Sequence, residues 1–265
     1  MEQSQIPATG LGLSGNVLFY QSPEPLNQQM HGAMGVKRIE KPYAFVSSTN
    51  VVPLTVMEFA AASLSYPVIF VGEQKTPLAV MGLRQGENLF VSATGDFRVD
   101  AYIPGFVRRY PFVFANDEEA KRLVLCVDRA APFISDEPDV PFFENGEPSQ
   151  YVQTAMQFCN DFEAERRRTE QFVDMLKELD LFETRDATFT PTNPDGSAAE
   201  TVTLATYFAV SNDKLNALPA EKFVELRDNG ALGQIYAHMV SLMAWDKLVA
   251  LALERSANEP MSAAN

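Results

Sequence analysis

Gln150-Tyr151-Val152-Gln153-Thr154-Ala155-Met156-Gln157-Phe158-Cys159-Asn160-Asp161-Phe162, continuing to Leu176, is the stretch that decides the fold class. Val152, Ala155, Met156, Cys159, Phe162, Thr169, Phe172, Val173 and Leu176 recur at helical spacing, which predicts one long amphipathic helix with a single apolar stripe. Glu163, Glu165, Arg166, Arg167 and Arg168 fall mainly on the other faces. There the Arg triplet reads as a solvated face, with acid–base neighbours three or four residues apart. Such a helix is too amphipathic to stand alone, so the rest of the chain must supply a surface for it.

Upstream the pattern is that of strands. Tyr43-Ala44-Phe45-Val46, Pro67-Val68-Ile69-Phe70-Val71, Leu78 to Leu83, Asn88-Leu89-Phe90-Val91, Phe112-Val113-Phe114 and Leu123 to Val127 are short apolar runs separated by turn residues. Gln85-Gly86-Glu87 and Thr94-Gly95-Asp96 read as hairpin connections. One short helix interrupts them, opened by Thr55 with Glu58 three residues on, the spacing of a capping box. Before residue 43, Gly10, Gly12, Gly15 and Ser22-Pro23-Glu24-Pro25 suggest loose structure around one strand, Asn16 to Tyr20. The acidic, proline-broken connectors Asp136 to Pro141 and Glu144 to Pro148 then mark the change to helix.

Downstream, residues 186–208 alternate and are β-branched, with Pro191 to Gly196 as a hairpin tip. Short helices follow to Leu218 and from Pro219 to Asp228, and Asn229-Gly230 supplies a left-handed stop. A last helix, Leu232 to Leu253, carries Ile235, His238, Met239, Leu242, Trp245, Leu248 and Val249 on one face. The expected fold is therefore α+β. Its N-terminal core of mostly antiparallel short strands is followed by a long amphipathic helix, a β-hairpin and a helical C-terminus. In parts, this gives an extension over 1–42, a β-rich core over 43–135, and a helical part over 136–265 that packs on the core as one unit.

Composition narrows the function classes. The chain has 265 residues, a formal net charge of -14 and 46% hydrophobic residues, which fits a soluble globular protein. Its acidic balance argues against nucleic acid, because affinity for phosphates comes mainly from Lys and Arg. The first residues show no positive segment followed by an apolar run, so no secretory signal is readable. Nor does any stretch reach the roughly 18 to 20 uninterrupted apolar residues of a membrane span. A cytoplasmic location is the resulting expectation. Cys126 and Cys159 read as two buried thiols. With two His and two Cys and no ligand-spaced cluster, neither a metal nor another cofactor is expected.

Catalytic signatures are equally thin. Nucleophilic catalysis needs a base beside the nucleophile, and the only histidines are His31 and His238. His31 lies in a Met-rich, Gly-flanked loop and its role stays open. His238, between Ile235 and Leu242, reads as a hydrogen-bonded packing histidine and stands as one further candidate ligand residue. Gly12-Leu13-Ser14-Gly15 has the wrong spacing for a nucleophile elbow, and Gly10 to Gly15 precedes any strand that could present a phosphate loop.

The suggestive polar constellation is Tyr102-Ile103-Pro104-Gly105-Phe106-Val107-Arg108-Arg109-Tyr110-Pro111-Phe112. Adjacent guanidinium groups cannot share one face of a strand or helix, so one of them points inward and must meet a carboxylate or a ligand anion. Glu58, Glu87 and Asp128 are the carboxylates available for a structural pair. The functional reading is an anion or peptide-carboxylate pocket made by Arg108, Arg109, Tyr102, Tyr110 and Phe112.

These segments also carry a resemblance. Thr49 to Thr55 with Glu58-Phe59, Tyr66 to Phe70, Gly82 to Val91, Tyr102-Ile103-Pro104 with Arg108 to Phe112, Leu123 to Asp128, Gly146-Glu147-Pro148, and Gly230 to Leu242 with Ile235-Tyr236-Ala237-His238 resemble the SapC family. This bacterial family takes its name from a surface-layer association, and it brings no catalytic residue set to carry over. The resemblance implies an accessory or binding protein near systems of substrate uptake or modification, in the neighbourhood of TonB-dependent receptors and flavin-dependent tryptophan halogenases. The alternatives are an enzyme using the Arg and aromatic pocket, or a surface-layer structural subunit. Finally, the two C-terminal apolar stripes present more helix face than the hairpin can cover, so a homodimer or a complex with another protein is expected.

Overall fold

In a computed structural model of the chain, which describes residues 18–117, 122–193 and 195–258, β1 (Pro23–Pro25), α1 (Gln28–His31), β2 (Gly35–Val36) and β3 (Val51–Pro53) come first. Then follow α2 (Phe59–Ala62), β4 (Val68–Val71), β5 (Thr76–Val80), α3 (Gly105–Arg108), β6 (Phe112–Asp117) and β7 (Arg122–Asp128). Four two-residue strands, β8 (Ile134–Ser135), β9 (Val140–Pro141), β10 (Phe143–Glu144) and β11 (Glu147–Pro148), lead into α4 (Gln150–Glu178). The chain closes with β12 (Phe182–Phe189), β13 (Val202–Val210), α5 (Asn212–Asn216), α6 (Ala220–Asp228), α7 (Ala231–Ser241) and α8 (Ala244–Asn258).

The strands pair antiparallel, and the fold is α+β. The largest sheet runs β12-β13-β4-β5-β3, so the late hairpin and the early strands share one sheet across the change of character near residue 136. All four residues of β4 are buried, as its unbroken apolar run requires of a strand covered on both faces. A second sheet, β1-β7-β6, brings Pro23–Pro25 against Cys126–Asp128, and a third, β8-β2-β9, ties Gly35 and Val36 to the connector. The first described residues are thus built into sheets with segments a hundred positions later.

The long helix joins these parts. Ser149 caps α4, and Val152, Cys159, Phe162, Thr169, Phe172, Val173 and Leu176 are its buried residues. Val152 and Cys159 pack with Phe112, Phe114, Leu125 and Val127 over the second sheet, while Phe172 meets Phe59 edge-on in the core of the first. Burying each such large apolar side chain contributes about 1.5–3 kcal/mol, so one stripe stabilises both cores.

Four sequence expectations differ from what is seen. Tyr43 to Val46 is a 3-10 turn, and Asn88 to Val91 forms no strand beyond a bridge from Val91 to Phe97. There the Asn88 side chain accepts the amide of Phe90 and donates to the carbonyl of Val46, a local bonding pattern that competes with a ladder. The last helix is two helices, parted at Leu242 and Met243. Of the N-terminal strand, Asn16 and Val17 lie outside the described residues, and Leu18 to Tyr20 run as turn and coil. Ala231–Ala257 is long and apolar enough by composition to cross a membrane. It is interrupted by that break and bonded to strands through His238 and Ser241, and no span is established.

Candidate functional site

The site grows from the capping box. Thr55 precedes a 3-10 turn, Val56–Glu58, and the Glu58 side chain folds back to accept its amide at 2.8 Å and its hydroxyl at 2.9 Å, both on Oε2. Oε1 accepts the Tyr102 hydroxyl at 2.9 Å and the Gly105 amide at 2.6 Å. This buried carboxylate is therefore filled by four hydrogen-bond donors with no cation among them. Gly105 suits the close approach: a Cβ there would lie 3.2 Å from Glu58 Oε1 and 3.3 Å from the Phe162 ring, and those side chains would have to give way by a few tenths of an ångström.

Arg108 lies on the outside of this clamp. Its Nη2 donates to the Tyr102 hydroxyl at 3.0 Å and its Nε to the Ile103 carbonyl at 3.0 Å. The guanidinium lies 5.6 Å from the Tyr102 ring centre and 5.2 Å from that of Phe158. Burial, with the Glu58 charge beside it, pushes the Tyr102 phenol up to about 12. Tyr102 thus stays a neutral donor that links Arg108 to Glu58.

Arg109 points inward and is 8% exposed. Its guanidinium lies 4.1 Å from the Phe106 ring centre, 4.7 Å from Phe162 and 6.0 Å from Tyr20, in range of cation–π attraction. Its Nε has no hydrogen-bond partner, and among the described residues Arg109 makes no ion pair. The carboxylates that sequence reasoning offered it are occupied or elsewhere. Asp128, fully buried, accepts the amides of Gln21, Ser22 and Ala130 and the Tyr110 hydroxyl. Glu58 is saturated as above, and Glu87 keeps a buried Oε2 without a partner. Beside Arg109, burial pushes the Cys159 thiol up to about 11, although the guanidinium pulls it the other way.

The structure therefore brings Tyr102, Arg108 and Arg109 together at α3. Tyr110 lies on the far side, bonded to Asp128 and stacked on Phe45. Phe112 packs against Phe142 and Tyr151, and its carbonyl accepts the Tyr20 hydroxyl at 2.6 Å. His238 is remote, in the core of the large sheet. Its ring lies between the Val68 carbonyl, 2.9 Å from Nδ1, and the Val210 amide, 3.1 Å from Nε2. The geometry assigns the proton to Nδ1 and uses both ring nitrogens.

Sequence reasoning did not name Phe106, Phe158, Phe162 and Tyr20 as lining residues. Phe158 and Phe162, four apart, held the only available signal: an aromatic pair on one helix face. Among the described residues no group of three or more His, Cys, Asp or Glu is arranged to hold a metal.

Fold and site define an antiparallel α+β protein in which two buried carboxylates are satisfied by amides and hydroxyls while an inward arginine keeps aromatic walls and, among the described residues, no ion-pair partner. The profile of the SapC family matches residues 26–248, and the chain belongs to that family. No curated protein and no solved structure matches it.

Proposed function

We propose that this chain is a non-catalytic accessory protein that binds a small anionic ligand through Arg109, with Arg108 at the mouth of the site. One observation carries the reading. Arg109 is buried with its Nε unpartnered while Glu58 and Asp128 are filled by other donors. Burying a guanidinium without a counter-charge is costly, and an arriving carboxylate or phosphate would supply the missing hydrogen bonds. The rings of Phe106, Phe162 and Tyr20 favour a planar anion. Cys126 and Cys159 are both free and buried, which suits work in a reducing compartment beside an uptake or modification system.

Thermal shift with benzoate, inorganic phosphate and a tripeptide with a free C-terminal carboxylate tests this, since a ligand present at 100 times its Kd stabilises by about 2.7 kcal/mol. At least one probe is expected to raise the Tm of the natural chain. Arg109→Met, which keeps the stacking length without the charge, should abolish the shift, and Arg108→Ala should weaken it. No shift with any probe, or a shift retained by Arg109→Met, would defeat the proposal.

A further inference from the structure

We infer that Phe19 and Tyr20 form a lid over Arg109, and that an anion reaches the buried guanidinium only when this lid opens. That an anion is what enters rests on the binding role proposed for Arg109; the lid itself rests on the backbone. Arg109 is 8% exposed, and the three rings around it, Phe106, Phe162 and Tyr20, are themselves buried. A ligand must therefore displace one wall. Phe162 stands within the 29-residue helix α4. Phe106 belongs to α3, whose Gly105 amide is held by Glu58 at 2.6 Å. Tyr20 is the wall without such a mounting. Among the described residues, Leu18, Phe19 and Tyr20 make no backbone–backbone hydrogen bond. From Gln21 onward the chain is fixed: the Gln21 and Ser22 amides donate to Asp128 at 3.0 and 2.8 Å, and the Ser22 carbonyl accepts the Arg129 amide. The hinge thus falls between Tyr20 and Gln21.

Side chains alone hold the lid shut. The Tyr20 hydroxyl donates to the Phe112 carbonyl at 2.6 Å and its ring meets Tyr110 edge-on, while the Phe19 ring meets Phe45 and Phe106 edge-on at 5.4 and 5.7 Å. Against these contacts stands the backbone of Phe19, at φ 80°. A bulky residue in the left-handed region is strained, and it persists there only where its surroundings impose it. Among the described residues Phe19 is the one aromatic residue with positive φ. The strain is released when its ring leaves Phe45 and Phe106, which narrows the free-energy gap between closed and open lid. Opening is thereby a local event, well short of global unfolding. Because only the open fraction accepts a ligand, the lid sets the apparent affinity of the site.

Cys159, buried beside Arg109, is a built-in reporter. Its alkylation by iodoacetamide, read by peptide mass mapping, is measured without ligand in rising urea below the unfolding transition. A lid exposes little surface, so the rate in the natural chain is expected to be nearly independent of urea, whereas labelling through global unfolding climbs with the slope of the full transition. Tyr20→Phe, which deletes the latch, should speed labelling severalfold. Phe19→Ala should speed it more than Phe19→Gly, because both lack the ring and only glycine takes φ 80° without strain; this pair serves if Tyr20→Phe fails to fold. Calorimetric titration with benzoate and inorganic phosphate should show tighter binding by Tyr20→Phe than by the natural chain. Labelling that tracks global unfolding, a Tyr20→Phe rate equal to that of the natural chain, or equal rates for the two Phe19 variants would overturn the lid even if an anion binds. Expected labelling with no anion bound by either chain would support the lid and defeat the anion-binding role of Arg109 instead.

Discussion

His238 is wholly buried and serves two strands that share a single paired position, Phe208 opposite Phe70. Burial lowers its pKa from 6.5 to about 4, and a charged ring could no longer accept the Val210 amide. The unfolded chain therefore binds this proton more readily than the folded one. The contribution to stability is complete above pH 6.5, falls as the pH drops below that value, and is gone at about pH 4. Its size is on the order of 3 kcal/mol at about 1.4 kcal/mol per pKa unit. Urea midpoints measured between pH 7 and 4 should fall with pH, and His238→Gln should lower the midpoint at pH 7 while flattening that slope; an unchanged slope in the variant refutes the assignment. The packing role was legible because His238 sits among apolar residues at helical spacing. Its two strand partners, 170 and 28 residues away, were not. Glu58 shows the same limit. The bond to Thr55 is local and readable as a capping box, whereas Tyr102 and Gly105 reach it across 44 and 47 residues. That Arg109 points inward could be argued from adjacency; its lack of a carboxylate could not, because tyrosines and amides had taken the candidates.

Helix α4 begins where its cap is itself bonded into the connector. Ser149 Oγ accepts the Val152 amide and donates to the Pro141 carbonyl at 2.7 Å, and its own amide donates to Phe142. Ser149→Ala should therefore cost about 1–2 kcal/mol, the cap together with a carbonyl left unsatisfied. It should lower the urea midpoint with the slope unchanged, and Ser149→Thr should recover most of the loss; a neutral Ser149→Ala would show that the cap holds nothing. The helix itself was legible from periodicity because its stripe is sustained over many turns. The division between α7 and α8 was not. Ser241 Oγ donates to the His238 carbonyl at 2.6 Å and accepts the Val68 amide, and Leu242, Met243 and Trp245 bond three residues back rather than four. Side-chain bonding to the backbone diverts the helix at that point, although the apolar spacing runs on unbroken. At Tyr43 to Val46 the run of apolar residues resembles a strand by composition but lacks the alternation that pairing on a half-buried sheet demands.

For the whole molecule, the question is which apolar surface the two cores leave uncovered. The α4 stripe is not the surplus that its length suggested, since its lower half lies on the Phe59 and Phe70 core and its upper half on the second sheet. The surplus lies along α7 and the turn that follows it. Tyr236, Val240 and Met243, spaced by four and three, are 43%, 54% and 77% exposed. Leu64 is also 77% exposed, and its carbonyl lies 3.5 Å from Lys247 Nζ on α8. A contiguous apolar face of this kind is unusual on a monomer, and an isologous pair about a two-fold axis would cover it with an identical face. Repulsion between two chains of formal charge -14 each opposes such pairing at low ionic strength and is screened within about 8–10 Å at physiological salt. We therefore expect light scattering in about 0.15 M salt to give twice 29.4 kDa, with dissociation as salt is lowered. Val240→Glu with Met243→Glu should return the mass to 29.4 kDa without loss of secondary structure, because neither side chain is needed by the core. A mass of 29.4 kDa for the natural chain across a wide concentration range would exclude the homodimer.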